Sequence, residues 1–143
     1  MQPGFVVRGI VPVCEMGGTV IKGIGIDAVD IEEMRRLCAD MDGSFVRRTF
    51  TAAERAQAAE CHDPAQTLAG KFAVKEATFK ALAQLTTDGF DFRIVETLED
   101  DNGAPHITFA GRMAPVLEEA GVSELLVSIT NERNLAIAIV LAQ

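Results

Sequence analysis

The stretch "LAGKFAVKEATFKALAQL", residues 68–85, decides how the rest of the sequence is interpreted. Its apolar residues recur at three- and four-residue intervals, which predicts a helix over about 65–85. The side of this helix expected to face the core carries Ala65, Ala69, Phe72, Ala73, Phe79 and Ala83. Glu76 falls among them, with Lys80 one turn further along. Because an unpaired buried carboxylate costs several kcal/mol, we expect Glu76 to be paired, protonated or bound to a metal ion.

The residues before this helix predict one strand and two shorter helices. "TVIKGIGID", residues 19–27, has β-branched residues and glycines at strand spacing and ends at Asp27. The helix "IEEMRRLCADM" follows, and Asp30 is its expected cap. Its inner side is expected to carry Ile31, Met34, Leu37, Cys38 and Met41. "TAAE", residues 51–54, has the form of a capping box and predicts the start of another helix.

After the long helix the hydrophobic period changes to two, which predicts strands. "DFRIVETLED" and "PHITFAG" alternate and are joined by "DNGA", a strong hairpin signal. "MAPVLEEAG" predicts a brief helix closed by Gly121, and two strands over 125–130 and 135–142 flank the turn "NERN". This order predicts an α+β fold in which helices pack on one mainly antiparallel sheet. We assign residues 19–143 to this domain and residues 1–18 to an N-terminal extension whose order the sequence does not indicate.

The composition excludes several classes of protein. The 143 residues fit a single domain, and the net charge of −8 argues against a general nucleic-acid binder. No apolar run approaches the ~18 residues of a membrane span, and the first residues lack the basic start and long apolar core of a signal peptide. Cys14, Cys38 and Cys61 are widely spaced, and His62 and His106 lack metal-ligand spacing. We therefore expect a cytoplasmic protein with free thiols, surface histidines and no membrane association.

Two carboxylates stand where chemistry is expected. Asp27 ends a strand, where side chains often face a cleft, and Glu76 lies on a helix with Lys80 four residues later. Mg²⁺ typically takes one or two protein carboxylates and fills its remaining positions with water and phosphate oxygens. A magnesium site shared with a phosphate ligand is thus one interpretation. The other is an ordinary Glu76–Lys80 helix pair, with Asp27 or Asp30 serving merely as a helix cap.

Several separate segments resemble one family. In chain order they are "GIGIDAVDIEEM", "FVRRTFTAAE", "LAGKFAVKEATFKAL", "DNGAPHI" and "LVSITNERNLAIAIV". Together they resemble the holo-acyl carrier protein synthases, the small 4′-phosphopantetheinyl transferases. The resemblance runs from about Val20 to the C-terminus, and its most specific parts are the G-I-G-x-D start and the F-A-x-K-E-A-x-x-K-A helix.

The resemblance implies a definite chemistry. Such enzymes transfer the phosphopantetheine arm of coenzyme A to a serine of an acyl carrier protein and release adenosine 3′,5′-bisphosphate. By this likeness Asp27 and Glu76 would hold Mg²⁺ against the coenzyme A pyrophosphate, with Lys80 beside it, and these three would be catalytic. The base that takes the serine proton would be Glu76 or a metal-activated water. The further coenzyme A contacts implied are Lys71, Gly103, Pro105, Ser128, Thr130 and Asn131, in addition to Lys80.

The resemblance also implies a homotrimer with active sites between neighbouring subunits. The closing strand "LAIAIVLA", residues 135–142, is apolar on both faces, as expected for a strand near a subunit contact. Core burial within one chain explains the same pattern equally well. The family further implies basic residues that dock the carrier protein, here Arg35, Arg36 and Arg48.

Two departures from the family pattern stand out. The family usually has histidine where this chain has Asn131 in "SITNER", which predicts coenzyme A binding weakened about ten-fold, or ~1 to 2 kcal/mol. The first helix begins with Glu32 and Glu33 before Arg35 and Arg36, which indicates a different docking partner or an altered docking register, or else a solvated charge run. A non-catalytic relative that binds coenzyme A or a carrier protein therefore remains the alternative function.

Overall fold

Helices and strands occupy most of the residues that the computed structural model describes, which are 20–83, 85, 91–108 and 113–143. The helices are α1 (Ile31–Leu37), α2 (Ser44–Thr49), α3 (Ala52–Ala59), α4 (Pro64–Leu82) and α5 (Met113–Ala120). The strands are β1 (Gly23–Asp30), β2 (Glu96–Glu99), β3 (Pro105–Thr108), β4 (Leu125–Glu132) and β5 (Leu135–Ala142). The predicted extension at 1–18, with Cys14, lies outside the described residues. Within the described ranges, no helix is long and apolar enough to cross a membrane.

The strands form two antiparallel sheets. Strand β5 lies in the centre of the first sheet, so β1 and β4 are its opposite edges. Strands β2 and β3 pair separately, joined by the predicted hairpin. Across the first sheet, Asp27 on β1 is in register with Ala138 on β5, and Ala138 with Ile129 on β4. The α+β class with helices on antiparallel strands is confirmed, and its strands are divided between these two sheets.

Helix α4 packs so closely on β1 that two strand positions admit only glycine. A Cβ atom at Gly23 or Gly25 would lie 1.9 Å or 1.8 Å from a carbonyl oxygen of α4, distances that no real side chain tolerates. Because side chains alternate along a strand, Asp27 shares the α4-facing side with these two glycines. The close approach therefore brings Asp27 against the helix that carries Glu76.

The buried surface of α4 is wider than a single helical face. Its buried residues are Ala65, Leu68, Ala69, Gly70, Lys71, Ala73, Val74, Lys75, Ala77, Thr78, Ala81 and Leu82. The predicted inner alanines of the first half are among them, but Phe79 is 39% exposed and Ala83, at the C-cap, is exposed. That part of the prediction was wrong because the sheet, α1 and α3 contact different sides of the helix. Glu76 is half-buried, at the border of the covered surface.

Helix α1 is capped as predicted. The Asp30 side chain accepts a hydrogen bond from the Glu33 backbone N–H at 2.9 Å. Of the predicted inner residues, those that are buried are Ile31, Met34 and Cys38. Leu37 is 44% exposed, contrary to prediction, because at 100° per residue it lies about 120° around the helix from Ile31. Met41, beyond the helix, is half-buried.

Two of the three cysteines lie in the described part of the chain, and both are free thiols. Cys38 is buried, and burial raises the pKa of its thiol to about 11, so the unreactive protonated form dominates at neutral pH. Cys61 is half-buried. The prediction of free thiols is confirmed for these two residues.

Three local predictions from turn and cap chemistry are confirmed. Thr51 and Glu54 form both hydrogen bonds of the capping box at the start of α3. Gly103 in the β2–β3 turn and Gly121 after α5 have φ values of 79° and 65°, the left-handed region that glycine adopts readily. Helix α2 and the 3-10 turn Phe92–Ile94 were not predicted, the latter having been assigned to a strand.

A fully buried ion pair ties α3 to α4. Lys75 Nζ lies 2.9 Å from Glu54 Oε2, and neither side chain is accessible to solvent. The same ammonium donates to the carbonyl oxygens of Phe92, at 2.8 Å, and Val95, and it lies 5.7 Å from the centre of the Phe50 ring. This pair therefore fixes α4 against α3 and the segment that leads into β2.

Candidate active site

Asp27, Glu76 and Lys80 meet where the second half of α4 passes the edge strand β1. Lys80 Nζ lies 3.0 Å from Asp27 Oδ1 and also donates to the Ile26 carbonyl oxygen at 3.0 Å. Glu76 is one helical turn before Lys80 and half-buried. The Lys80 side chain is 53% exposed whereas that of Asp27 is 19% exposed. The ammonium is thus open to a ligand from solvent, and the Asp27 carboxylate is largely shielded.

The protonation of Glu76 reflects this crowding. Burial raises the pKa of the Glu76 carboxyl, and the negative charge of Asp27 raises it further, while the ammonium of Lys80 opposes both. With both carboxylates ionised, two negative charges face one positive charge in a partly desolvated place. Such a site gains from binding a second cation.

The donor set fits Mg²⁺ shared with a phosphate ligand. Two carboxylates held by a strand and a helix are the hard oxygen ligands that Mg²⁺ takes from proteins. Among the residues that the structure describes, no group of three or more His, Cys, Asp or Glu side chains shares a metal position. The residues that could hold the ion are Asp27 and Glu76, with water and ligand oxygens completing its coordination.

A pocket of about 190 Å³ lies at the opposite edge of the sheet, and we call it the β4-edge pocket. It is lined by Gln66, Thr67, Gly70, Glu99, Gly103, Pro105, Ile129 and Asn131. These residues come from the first half of α4, the β2–β3 hairpin and β4. Three of the coenzyme A contacts expected from the resemblance, Gly103, Pro105 and Asn131, are thus brought together here.

The other lining residues were not anticipated from the sequence. Gln66 and Thr67 lie in the first turn of α4, and Glu99 ends β2. They reach β4 because α4 crosses it closely: a Cβ atom at Gly70 would lie 3.3 Å from Ile129 Cγ2. A glycine inside a predicted helix was the available signal for this approach, since such glycines often mark tight packing.

Lys71 does not reach the surface, so the expectation that it contacts coenzyme A was wrong for this structure. Its fully buried ammonium donates to Gln57 Oε1 and to the Thr97 carbonyl oxygen, both at 2.7 Å. It also lies 3.8 Å from Glu99 Oε2. Burial lowers the pKa of Lys71, and the nearby carboxylates oppose that effect. Its hydrogen bonds are used inside the protein.

Ser128 and Thr130 lie on the other face of the three-stranded sheet. Side chains alternate along β4, so Ile129 and Asn131 face the α4 side while Ser128 and Thr130 face away from it. Both hydroxyl residues are exposed. The expectation that they join Asn131 in one site is therefore wrong within a single chain, because strand alternation separates them.

The arginines expected to dock a carrier protein are partly engaged within the chain. Arg35 binds the Asp63 carboxylate with two nitrogens, at 2.9 Å and 3.0 Å, and this pairing raises the pKa of Arg35 and lowers that of Asp63. Arg36 pairs with Glu33 on its own helix. Arg48 on α2 donates to a backbone carbonyl one turn earlier. An acidic partner would have to compete for the first two.

Sequence comparison identifies relatives over nearly the whole described domain. The sequence model of the 4′-phosphopantetheinyl transferase superfamily matches residues 23–140. A holo-[acyl-carrier-protein] synthase of Geotalea daltonii is 30% identical over 124 residues, which are 87% of this chain and 99% of that protein. One of Shewanella denitrificans is 36% identical over 123 residues, covering 86% of this chain and 98% of the relative.

Solved structures of the same kind share the fold. The holo-[acyl-carrier-protein] synthase of Neisseria meningitidis superimposes with a TM-score of 0.75 at 30% identity, covering 87% of this chain and 99% of that one. The Helicobacter pylori protein, solved in complex with coenzyme A, superimposes with a TM-score of 0.71 at 26% identity, over 84% and 99% of the two chains. The chain therefore belongs to the 4′-phosphopantetheinyl transferase superfamily and is an enzyme of its holo-acyl carrier protein synthase type.

Proposed function

We propose that this enzyme transfers 4′-phosphopantetheine from coenzyme A to a serine of an acyl carrier protein, requires Mg²⁺ and releases adenosine 3′,5′-bisphosphate. The observation that carries the proposal is the meeting of Asp27, Glu76 and Lys80 at the β1 edge. Asp27 and Glu76 would hold Mg²⁺, which when bound neutralises charge on the pyrophosphate and on the phosphate that departs. The β4-edge pocket, with Gly103 and Asn131, would take the nucleotide end of coenzyme A.

The bond changes assign roles to this chain's own groups. The serine oxygen forms a bond to the phosphorus on the pantetheine side, and the bond from that phosphorus to the bridging oxygen breaks. Adenosine 3′,5′-bisphosphate leaves with the electron pair, and the serine proton must be accepted. The exposed Lys80 ammonium would donate hydrogen bonds to pyrophosphate oxygens, and these strengthen as negative charge develops. The Glu76 carboxylate is the chain's own candidate acceptor for the serine proton.

We also propose that neighbouring copies complete the active site. Within one chain, the Asp27 group and the β4-edge pocket lie at opposite edges of the sheet, with α4 crossing between them. The sheet face away from α4 carries exposed apolar side chains, including Ile24 at 61%, Ile26 at 58% and Leu126 at 42%. Such a contiguous apolar face is typical of an interface. Ser128 and Thr130 share this face and would then contact a neighbouring copy.

Light scattering is expected to give the mass of a trimer, three times 15.3 kDa or about 46 kDa. Ile26→Asp places a charge in the middle of the apolar face and is expected to reduce the mass to that of a monomer. The matched control, Glu119→Gln on the exposed surface of α5, should remain trimeric. A monomeric mass for the unmodified protein at working concentration would contradict the assembly.

The function itself is tested by incubating the protein with coenzyme A, Mg²⁺ and a panel of carrier proteins, followed by intact mass measurement. A carrier protein should gain the mass of one phosphopantetheine group, and replacing its acceptor serine with alanine should abolish the gain. If the protein binds coenzyme A and modifies none of the carrier proteins, the non-catalytic alternative becomes the better account. The panel would also identify whether the acidic start of α1, at Glu32 and Glu33, selects an unusual partner.

A further inference from the structure

The β4-edge pocket has an unusual charge for a site that would bind a phosphorylated nucleotide. Its described lining residues include one carboxylate, Glu99, and no lysine, arginine or histidine. The remaining polar side chains are the amides of Gln66 and Asn131 and the hydroxyl of Thr67. The described wall of the pocket therefore offers hydrogen bonds and a negative charge to a ligand, with no positive charge.

Gln57 holds the backbone of Glu99, and Glu99 lines the β4-edge pocket. The Gln57 side chain donates to the Glu99 carbonyl oxygen at 3.0 Å and accepts from the Glu99 N–H at 3.1 Å. The Glu99 side chain is 28% exposed. The Lys71 ammonium lies 3.8 Å from Glu99 Oε2 and is itself fully buried. Of this ion pair, only the glutamate side chain is therefore accessible to a ligand.

Coenzyme A carries a phosphate on the 3′ position of its ribose, and 3′-dephospho-coenzyme A has a hydroxyl there. A 3′-phosphate gains affinity from charge-assisted hydrogen bonds to lysine or arginine, and each such bond can supply ten-fold selectivity or more. Next to Glu99 the same phosphate meets like charge. A ribose hydroxyl, in contrast, can donate to the Glu99 carboxylate, and so can the amino group of adenine.

We infer that this enzyme uses 3′-dephospho-coenzyme A about as well as coenzyme A, with Glu99 as the residue that sets this tolerance. The inference rests on the proposed function and on the nucleotide end occupying the β4-edge pocket. The same bonds form and break with either donor. With the dephosphorylated donor, the serine oxygen bonds to the pantetheine-side phosphorus, adenosine 5′-monophosphate leaves with the bridging oxygen and its electron pair, and the serine proton is released.

A neighbouring copy that brought its β1 edge to this pocket would contribute Lys22 and Lys80, which are both exposed. The Lys22 ammonium already donates to the Gly121 carbonyl oxygen, and Lys80 is assigned to the pyrophosphate, which both donors contain. We therefore expect neither lysine to favour one donor over the other.

The test compares kcat/KM for the two donors on one carrier protein, together with their dissociation constants by calorimetry. We expect the two donors to differ by less than about three-fold in kcat/KM and in dissociation constant. A preference for coenzyme A of five-fold or more in both quantities would overturn the inference. Because calorimetry reads binding alone, the ratio of affinities decides the inference even if no carrier protein is modified. Absence of transfer from either donor would instead overturn the proposed function.

Two variants separate Glu99 from general effects of charge. Glu99→Gln removes the negative charge but keeps the backbone contacts with Gln57. We expect this variant to bind coenzyme A about five-fold more tightly, while its affinity for the dephosphorylated donor changes less than two-fold. Asn131→His should also favour only coenzyme A, and most clearly below pH ~6.5, where imidazole is protonated. Glu119→Gln, outside the pocket, should change neither. Equal effects on the two donors in both pocket variants would overturn the role of Glu99.

Discussion

Replacing Asp27 or Glu76 with alanine is expected to lower kcat/KM for phosphopantetheine transfer by about 10³-fold or more, equivalent to ~4 kcal/mol of transition-state stabilisation. Each change removes one of the two carboxylates that face Lys80 at the β1 edge, and thus a hard oxygen ligand for Mg²⁺. Neither removes much buried volume. In the Asp27–Lys80 ion pair that is lost, the Lys80 side chain is 53% exposed, so the pair contributes little to the free energy of unfolding.

The decisive measurement combines kinetics with a binding readout. In the parent protein, Mg²⁺ added with coenzyme A should raise the melting temperature above that with coenzyme A alone, and both variants should lose this increment. Asp101→Asn, at an exposed position of the hairpin turn, is the matched control and should keep both rate and increment. Near-normal rates for both variants under limiting Mg²⁺ would show that these carboxylates do not hold the metal.

Local sequence signals predicted most of the elements because they depend on a few neighbouring residues. The Asp30 cap, the Thr51–Glu54 capping box and the glycine that closes α5 are all formed as predicted. The hairpin between β2 and β3 follows the Asn-Gly signal. Helix α2 was missed, because its residues 44–49 lie between stronger signals and include too few apolar positions to show a period.

The nearness of Asp27 to Glu76 and Lys80 was expected from resemblance, and its physical cause is visible only in the fold. Gly23 and Gly25 let β1 approach the backbone of α4, and strand alternation then turns Asp27 towards the helix. Glycine in a strand is ambiguous in sequence, since it marks a bulge, a bend or a close approach. The role of these glycines therefore required the partner helix to be known.

The inward face of α4 could not be predicted by helical periodicity alone. A helical wheel assumes one apolar side, but α4 contacts the sheet on one side and α1 and α3 on others, so it is buried over much of its circumference.

Two of the lysines of α4, Lys71 and Lys75, are buried whereas Lys80 is exposed. The three look alike in sequence. The buried pair differs from Lys80 because α3 and β2 supply acceptors for it, which lie 14 to 26 residues away in the chain.

The arrangement of α4 also explains how one helix serves both packing and chemistry. Lys75 anchors it through Glu54, and the next residue, Glu76, lies about 100° further around the helix, outside that anchor. The carboxylate is thus carried by a segment whose rotation is restrained by a buried ion pair. A reactive group held this way loses little entropy on binding its ligand.

Glu54→Gln is expected to be the most destabilising single substitution among these polar residues, lowering the free energy of unfolding by about 3–5 kcal/mol. The change keeps the size of the side chain and one acceptor oxygen, which can still receive the Thr97 N–H at 2.8 Å. It removes the negative charge opposite Lys75 in a place without solvent. Lys75 would keep its carbonyl acceptors, but its charge would be buried without an opposite charge, which is what makes the loss large.

Urea denaturation followed by circular dichroism measures this loss, and the melting temperature should fall by roughly 10 °C or more. Glu60→Gln, the same change at the exposed end of α3, is the matched control and should stay within about 0.5 kcal/mol of the parent.

Burial already lowers the pKa of Lys75, and Glu54 opposes this. Without Glu54 that pKa falls further, so the unfolded chain binds more protons than the folded one over a wider pH range below the ordinary lysine pKa of about 10. The variant's stability should therefore rise with pH more steeply than the parent's. A flat profile combined with a loss below 1 kcal/mol would show that the pair contributes little, and that backbone carbonyls alone are sufficient for the buried ammonium.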